Sequence, residues 1–115
     1  METIANKIDI SLTTNSRINE LEEGLNKFGR IFSDHMFVAD FSDGEWGDAR
    51  IIPYNDLSLS PATSAIHYGQ SIFEGMKAYK NKEGETLLFR PTDNIKRLNK
   101  SAERMCMPDV PQDLF

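Results

Sequence analysis

The chain has a single cysteine, Cys106, in 115 residues. An internal disulfide is therefore excluded, and the composition suits a reducing compartment. No run approaches the ~18 consecutive apolar residues of a membrane span. The opening METIANKIDI lacks a basic stretch followed by an apolar core, so no secretion signal is expected. A basic excess is also lacking. Lys and Arg number 13 against 18 Asp and Glu, a net charge of −5, which argues against a phosphate-backbone binder. Histidines are few. Neither His35 nor His67 has a partner at metal-ligand spacing, so no zinc site is expected. Neither G-x-G-x-x-G nor G-x-x-x-x-G-K occurs, so neither phosphate-cradling glycine loop is present. What remains is 39% hydrophobic and 27% charged residues, the make-up of one modest soluble domain with no membrane or nucleic-acid partner. A cytoplasmic location is expected.

Ile8, Ile10 and Leu12 alternate with polar residues and read as a short strand or an extended arm. Residues 18–25 could form a short amphipathic turn, weakened by Gly24. Residues 35–41 carry the aromatic and β-branched content of a strand. A connecting turn over 42–48 and a returning strand over 50–54 complete a hairpin with a loop longer than two residues. A short helix is expected over 62–66. A second hairpin pairs 71–80 with 86–90. Pro91, Thr92 and Asp93 open a helix with Thr92 or Asp93 as N-cap, and Pro108 ends it. Ile95, Leu98, Ala102, Met105 and Cys106 form its apolar stripe, which places Cys106 in the core. Residues 112–115 read as a new element cut off. Mixed strands and helices of this kind indicate an α+β fold.

On the helix, Arg97 and Arg104 lie about 20° apart, nearly opposite the apolar stripe. The pattern alone gives a solvated face, but guanidinium donors also match phosphate geometry. In a strand over 71–80, Phe73, Gly75, Lys77 and Tyr79 would share one face, with Ile72, Glu74, Met76 and Ala78 on the other. Lys77 could snorkel along the sheet or, if desolvated, act as a Schiff-base nucleophile. Pattern does not choose. Asp34 could orient the His35 imidazole, although a structural histidine fits as well. The glycosylation-like triplet Asn99, Lys100, Ser101 falls inside the helix and is read as chance.

The segment F-G-R-I-F-S-D-H-M-F at 28–37, the block H-Y-x-x-x-x-F-E-G-x-K from His67 to Lys77, Leu88-Phe89-Arg90-Pro91 and Asn94-Ile95-Lys96-Arg97-Leu98 together resemble branched-chain amino acid aminotransferases. These belong to the fold-type IV enzymes that use pyridoxal 5′-phosphate (PLP). The resemblance runs from about Phe28 to Pro108. It implies an N-terminal arm over 1–27 and, over 28–115, the family's small N-terminal domain, a mostly antiparallel sheet with helices packed on it. The lysine that holds PLP would lie in a larger domain beyond Phe115, so Lys77 is not that lysine and this chain carries no catalytic residue of its own.

The resemblance further implies that Arg97 binds the PLP phosphate, in place of the solvated-face reading. It implies that Phe28 and Phe73 line the pocket for a branched side chain, and that Tyr68 and Lys77 are polar residues on its substrate side. The implied reaction moves the amino group of leucine, isoleucine or valine to 2-oxoglutarate, giving branched 2-oxo acids and glutamate, in a homodimer. No metal is implied. A D-amino acid aminotransferase, an aminodeoxychorismate lyase, or a non-catalytic binding module are the alternatives.

Overall fold

The computed structural model describes residues 8–21 and 28–115. The architecture is α+β, in two compact units, Met1–Ser58 and Leu59–Phe115. Residues 22–25 of the expected amphipathic turn lie outside the described residues; a single 3-10 turn forms at Ile18–Glu20.

The first unit is built on β1 (Asp9–Ile10), β2 (His35–Ser42) and β3 (Glu45–Pro53), in the order β1-β3-β2. The β2–β3 pair is antiparallel and β1 joins β3 in parallel. Asp43 and Gly44 connect β2 to β3 with φ of 53° and 84°. Positive φ at both central residues marks a type I′ turn, whose twist matches that of the flanking strands. The hairpin loop is thus two residues long, not longer as the sequence suggested. Phe41 and Trp46 are cross-strand partners whose rings meet edge to face at 5.3 Å. The register slips between Val38 and Asp40, where β3 carries an extra residue and Asp48 has φ 49°. That β-bulge bends the strand.

Residues leading into this sheet are tied to it by side chains. His35 Nε2 accepts the Thr13 amide N–H at 2.9 Å, so its role is structural. Asp34 accepts the Ser16 hydroxyl at 2.6 Å and the Arg17 amide N–H at 2.8 Å. These bonds, the Ser16 hydroxyl first, hold the Asp34 carboxyl below its ordinary pKa.

The second unit contains α1 (Ser64–Tyr68), a short hairpin of β4 (Ala78–Lys80) and β5 (Thr86–Leu88), and α2 (Pro91–Arg104). Helix α1 starts two residues later than its pattern suggested and stops at Gly69, whose φ of 63° supplies the left-handed cap. The hairpin is much shorter than 71–80 with 86–90. Its last pair is Ala78 with Leu88. Beyond Leu88, Arg90 turns left-handed (φ 50°) and Pro91 begins the helix, so residues 71–77 run out of ladder partner.

Pro91 occupies the first helical position of α2, where a missing N–H costs nothing. The N-cap is therefore Arg90, not Thr92 or Asp93. Arg90 also pairs with Asp93 at 2.5 Å. Ile95 and Ala102 are buried and carry the core of this unit with Leu114. After Arg104 the chain closes in a Schellman motif: Met107 N–H reaches the Ala102 carbonyl at 2.9 Å and Cys106 N–H reaches Glu103 at 3.2 Å. Cys106 has φ 54° and is exposed. It terminates the helix and does not join the core, correcting its placement on the stripe. Asn99 then clamps the descending chain, accepting the Val110 N–H and donating to the Val110 carbonyl, each at 2.9 Å. That bidentate contact gives Asn99 a structural reason to be there.

Candidate functional site

Residues 71–77 form no strand and no helix. From Gln70 to Gly75, half-buried and exposed residues alternate, with Ile72 and Glu74 inward and Phe73 and Gly75 outward. The expected division of faces survives there without the ladder that was meant to produce it, and it lapses from Met76 onward. A carboxylate on the inward side of such a segment must be paired, because an unpaired buried charge is costly.

Glu74 is paired thoroughly. Its side chain is only 7% exposed. Arg97 Nε donates to one carboxylate oxygen at 2.8 Å, and an Arg97 terminal nitrogen donates to the other in the same two-pronged contact. Asn94 Nδ2 donates to Glu74 Oε1 at 3.1 Å, and the Gly75 N–H does so at 3.0 Å. Asn94 and Arg97 lie three apart on α2, a spacing that puts both on one face of the helix. The Asn94 amide also donates to the Gly75 carbonyl at 3.0 Å. Arg97's bonds, ahead of those from Asn94 and Gly75, outweigh desolvation and hold the Glu74 carboxyl down to about 2. The same contact raises the Arg97 guanidinium above its ordinary pKa.

Arg97 itself stays open, with a side chain 68% exposed. A guanidinium has five N–H donors, and Glu74 takes two, so three remain to face solvent. A fixed, permanently charged fork of free donors fits an oxyanion, and a phosphate monoester in particular.

The other candidate residues are placed as follows. Phe73 is next to Glu74 and 90% exposed, and Tyr68, the last residue of α1, is 86% exposed. Lys77 ends the unpaired segment and is exposed, on coil and not on a strand. Phe28 is fully exposed in a turn of the other unit. The structure therefore joins Phe73 to Arg97 through Glu74, and it sets Tyr68 and Lys77 in the same unit. Glu74 and Asn94 are the site residues that sequence reading missed. The available signal was an acidic residue alternating with Ile72 and Met76, which required a partner. Among the described residues, no three His, Cys, Asp or Glu side chains gather in a group that could hold a metal, and no helix is long and apolar enough to cross a membrane.

Branched-chain-amino-acid aminotransferase 2 of Bacillus subtilis is 52% identical over 87 residues, covering 75% of this chain and 24% of the relative. Branched-chain-amino-acid transaminase 1 of the same organism is 53% identical over 88 residues, covering 76% and 25%. Over most of its length the chain is similar to about a quarter of these branched-chain aminotransferases, as an N-terminal domain of a protein of that kind would be. The similarity reaches more of this domain in the Mycolicibacterium smegmatis branched-chain-amino-acid aminotransferase, which is 38% identical over 110 residues, 92% of this chain and 30% of the relative. This aminotransferase-like domain spans about a quarter of the length of the relatives it matches. No family model matches it.

Proposed function

We propose that this domain is the small domain, residues 28–115, of a cytoplasmic PLP-dependent transaminase. The enzyme moves the amino group of leucine, isoleucine or valine to 2-oxoglutarate and works as a homodimer. The observation that carries the reading is the exposed Arg97 guanidinium fixed by a nearly buried carboxylate. The high identity to branched-chain aminotransferases supports the same chemistry.

In this reading Arg97 holds the cofactor phosphate and thereby fixes the ring. Phe73 presents an apolar wall to the substrate side chain. Leucine, isoleucine and valine offer no polar handle, so shape in an apolar pocket must select them, at about 1–3 kcal/mol per methylene. Tyr68 and Lys77 supply polar groups on the substrate side of that wall. The lysine that holds the cofactor and moves the substrate's α-proton comes from a larger domain outside this chain.

Adding leucine to the intact protein, without 2-oxo acid, tests the reading. The visible absorbance of the bound cofactor should disappear as the amino group is taken up, and return when 2-oxoglutarate is added. An absorbance that responds to D-alanine but not to leucine would assign the protein to a different fold-type IV activity.

A further inference from the structure

Residues 71–77 carry two of the groups assigned to the substrate, yet very little backbone bonding holds them. Among the described residues, their one backbone–backbone hydrogen bond runs from Ser71 N–H to the Gly69 carbonyl, 2.8 Å, at the segment's beginning. The ladder starts only at Ala78. Between these points the hydrogen bonds to α2 are made at the Glu74–Gly75 pair, gripped by Asn94 and Arg97, while Met76 lines a small cavity with Thr92 and Ile95 of the helix. Glu74 and Phe73 are neighbours in the chain with opposite exposure. The first is sunk to 7% exposure and the second stands out at 90%.

We propose that Glu74 is a positioning residue, whose carboxylate sets the placement of the Phe73 wall and the aim of the Arg97 guanidinium at the same time. The proposal rests on the reading that Arg97 serves the cofactor phosphate and Phe73 the substrate side chain. The carboxylate receives donors from Arg97, Asn94 and the Gly75 backbone. Its charge-assisted bonds are the strong ones in that set. Without it, a long, mostly exposed arginine regains its rotamers, and the segment bearing Phe73 keeps only the neutral bond from Asn94 to the Gly75 carbonyl as its hydrogen-bonded tie to the helix. A displacement of about 1 Å at a substrate-positioning group is enough to change kinetics by large factors. Glu74 is thus outside direct contact with substrate, yet it sets side-chain selectivity and phosphate grip together.

The intact aminotransferase tests this with Glu74→Gln and Asn94→Ala, using Phe73→Ala and Arg97→Ala as references. Gln keeps the size but has one acceptor oxygen, so it cannot take both prongs of Arg97. Glu74→Gln should raise KM for leucine about fivefold or more, while KM for 2-oxoglutarate moves less than about twofold. It should also lower the preference for PLP over pyridoxal, which lacks the phosphate. Asn94→Ala should move both in the same direction by less, and it carries the test if Glu74→Gln does not fold. Simple destabilisation would reduce the active fraction and leave the KM ratio untouched. The proposal is overturned if Phe73→Ala shifts the leucine-to-2-oxoglutarate KM ratio and neither Glu74→Gln nor Asn94→Ala does. If Phe73→Ala leaves that ratio unchanged, the pocket-wall assignment itself fails and the positioning role falls with it. If Arg97→Ala leaves the PLP-to-pyridoxal preference unchanged, the phosphate assignment is what fails.

Discussion

Replacing Asn99 by alanine removes two neutral hydrogen bonds at once and leaves the Val110 N–H and carbonyl without their side-chain partner. A net neutral bond is worth about 1 kcal/mol, and a half-buried group left unsatisfied costs about 1–3 kcal/mol. The local cost should therefore be roughly 2–3 kcal/mol. Because 1.4 kcal/mol is tenfold in an equilibrium constant, protection of the Val110 amide against hydrogen exchange should fall by about 30- to 150-fold. Amide exchange of the intact protein, read at Val110 and at a control amide in β3, measures this directly. Asn99→Asp sharpens the test. Its ionised carboxylate still accepts the Val110 N–H but sets a charged oxygen against the Val110 carbonyl. Below about pH 4 the protonated acid can donate again and should recover most of the protection. Unchanged Val110 exchange in Asn99→Ala would refute the clamp.

Ile95 is 2% exposed at the centre of the α2 stripe, so Ile95→Ala should cost about 2–5 kcal/mol in urea unfolding, and Lys96→Ala almost nothing. Cys106 holds the left-handed position of the Schellman motif; Cys106→Gly should raise stability by about 0.5–1 kcal/mol, with a rise in thermal midpoint as the readout. Glu74 is lowered from an ordinary 4.5 to about 2. Its pairing with Arg97 therefore contributes stability that is complete above pH 4.5 and is lost as pH falls through about 2. Carboxyl-carbon NMR should place the Glu74 midpoint near the lower value, and Arg97→Ala should move it back up.

Much of the first unit was legible because strands 35–41 and 50–54 are rich in aromatic and β-branched residues and sit either side of a Gly/Asp cluster. The loop length was misjudged because the whole cluster looked like turn, whereas Asp43 and Gly44 alone take positive φ and Glu45 onward pairs. Residues 71–77 have the composition of a strand, but composition does not reveal that the partner ends at Leu88, where Arg90 and Pro91 divert the chain into α2. Cys106 fell on the helical stripe only because the wheel was continued past Arg104; the Schellman closure stops it there. For the site, Arg97 was legible as a basic residue opposite the core but not as a fixed one. Its partner Glu74 is 23 residues away, beyond the reach of any local period. The pairing becomes visible only when the segment and the helix are laid side by side.

The most direct test of the central claim is cofactor affinity in the intact protein carrying Arg97→Ala. One charge-assisted contact contributes at least about 1.5 kcal/mol, so the phosphate assignment predicts that PLP binding weakens by tenfold or more while pyridoxal binding stays within about twofold. The thermal midpoint without cofactor should fall as well, because Glu74 loses its main partner, but the fold should persist. Equal losses for PLP and pyridoxal, or a collapsed fold with PLP still retained, would contradict it.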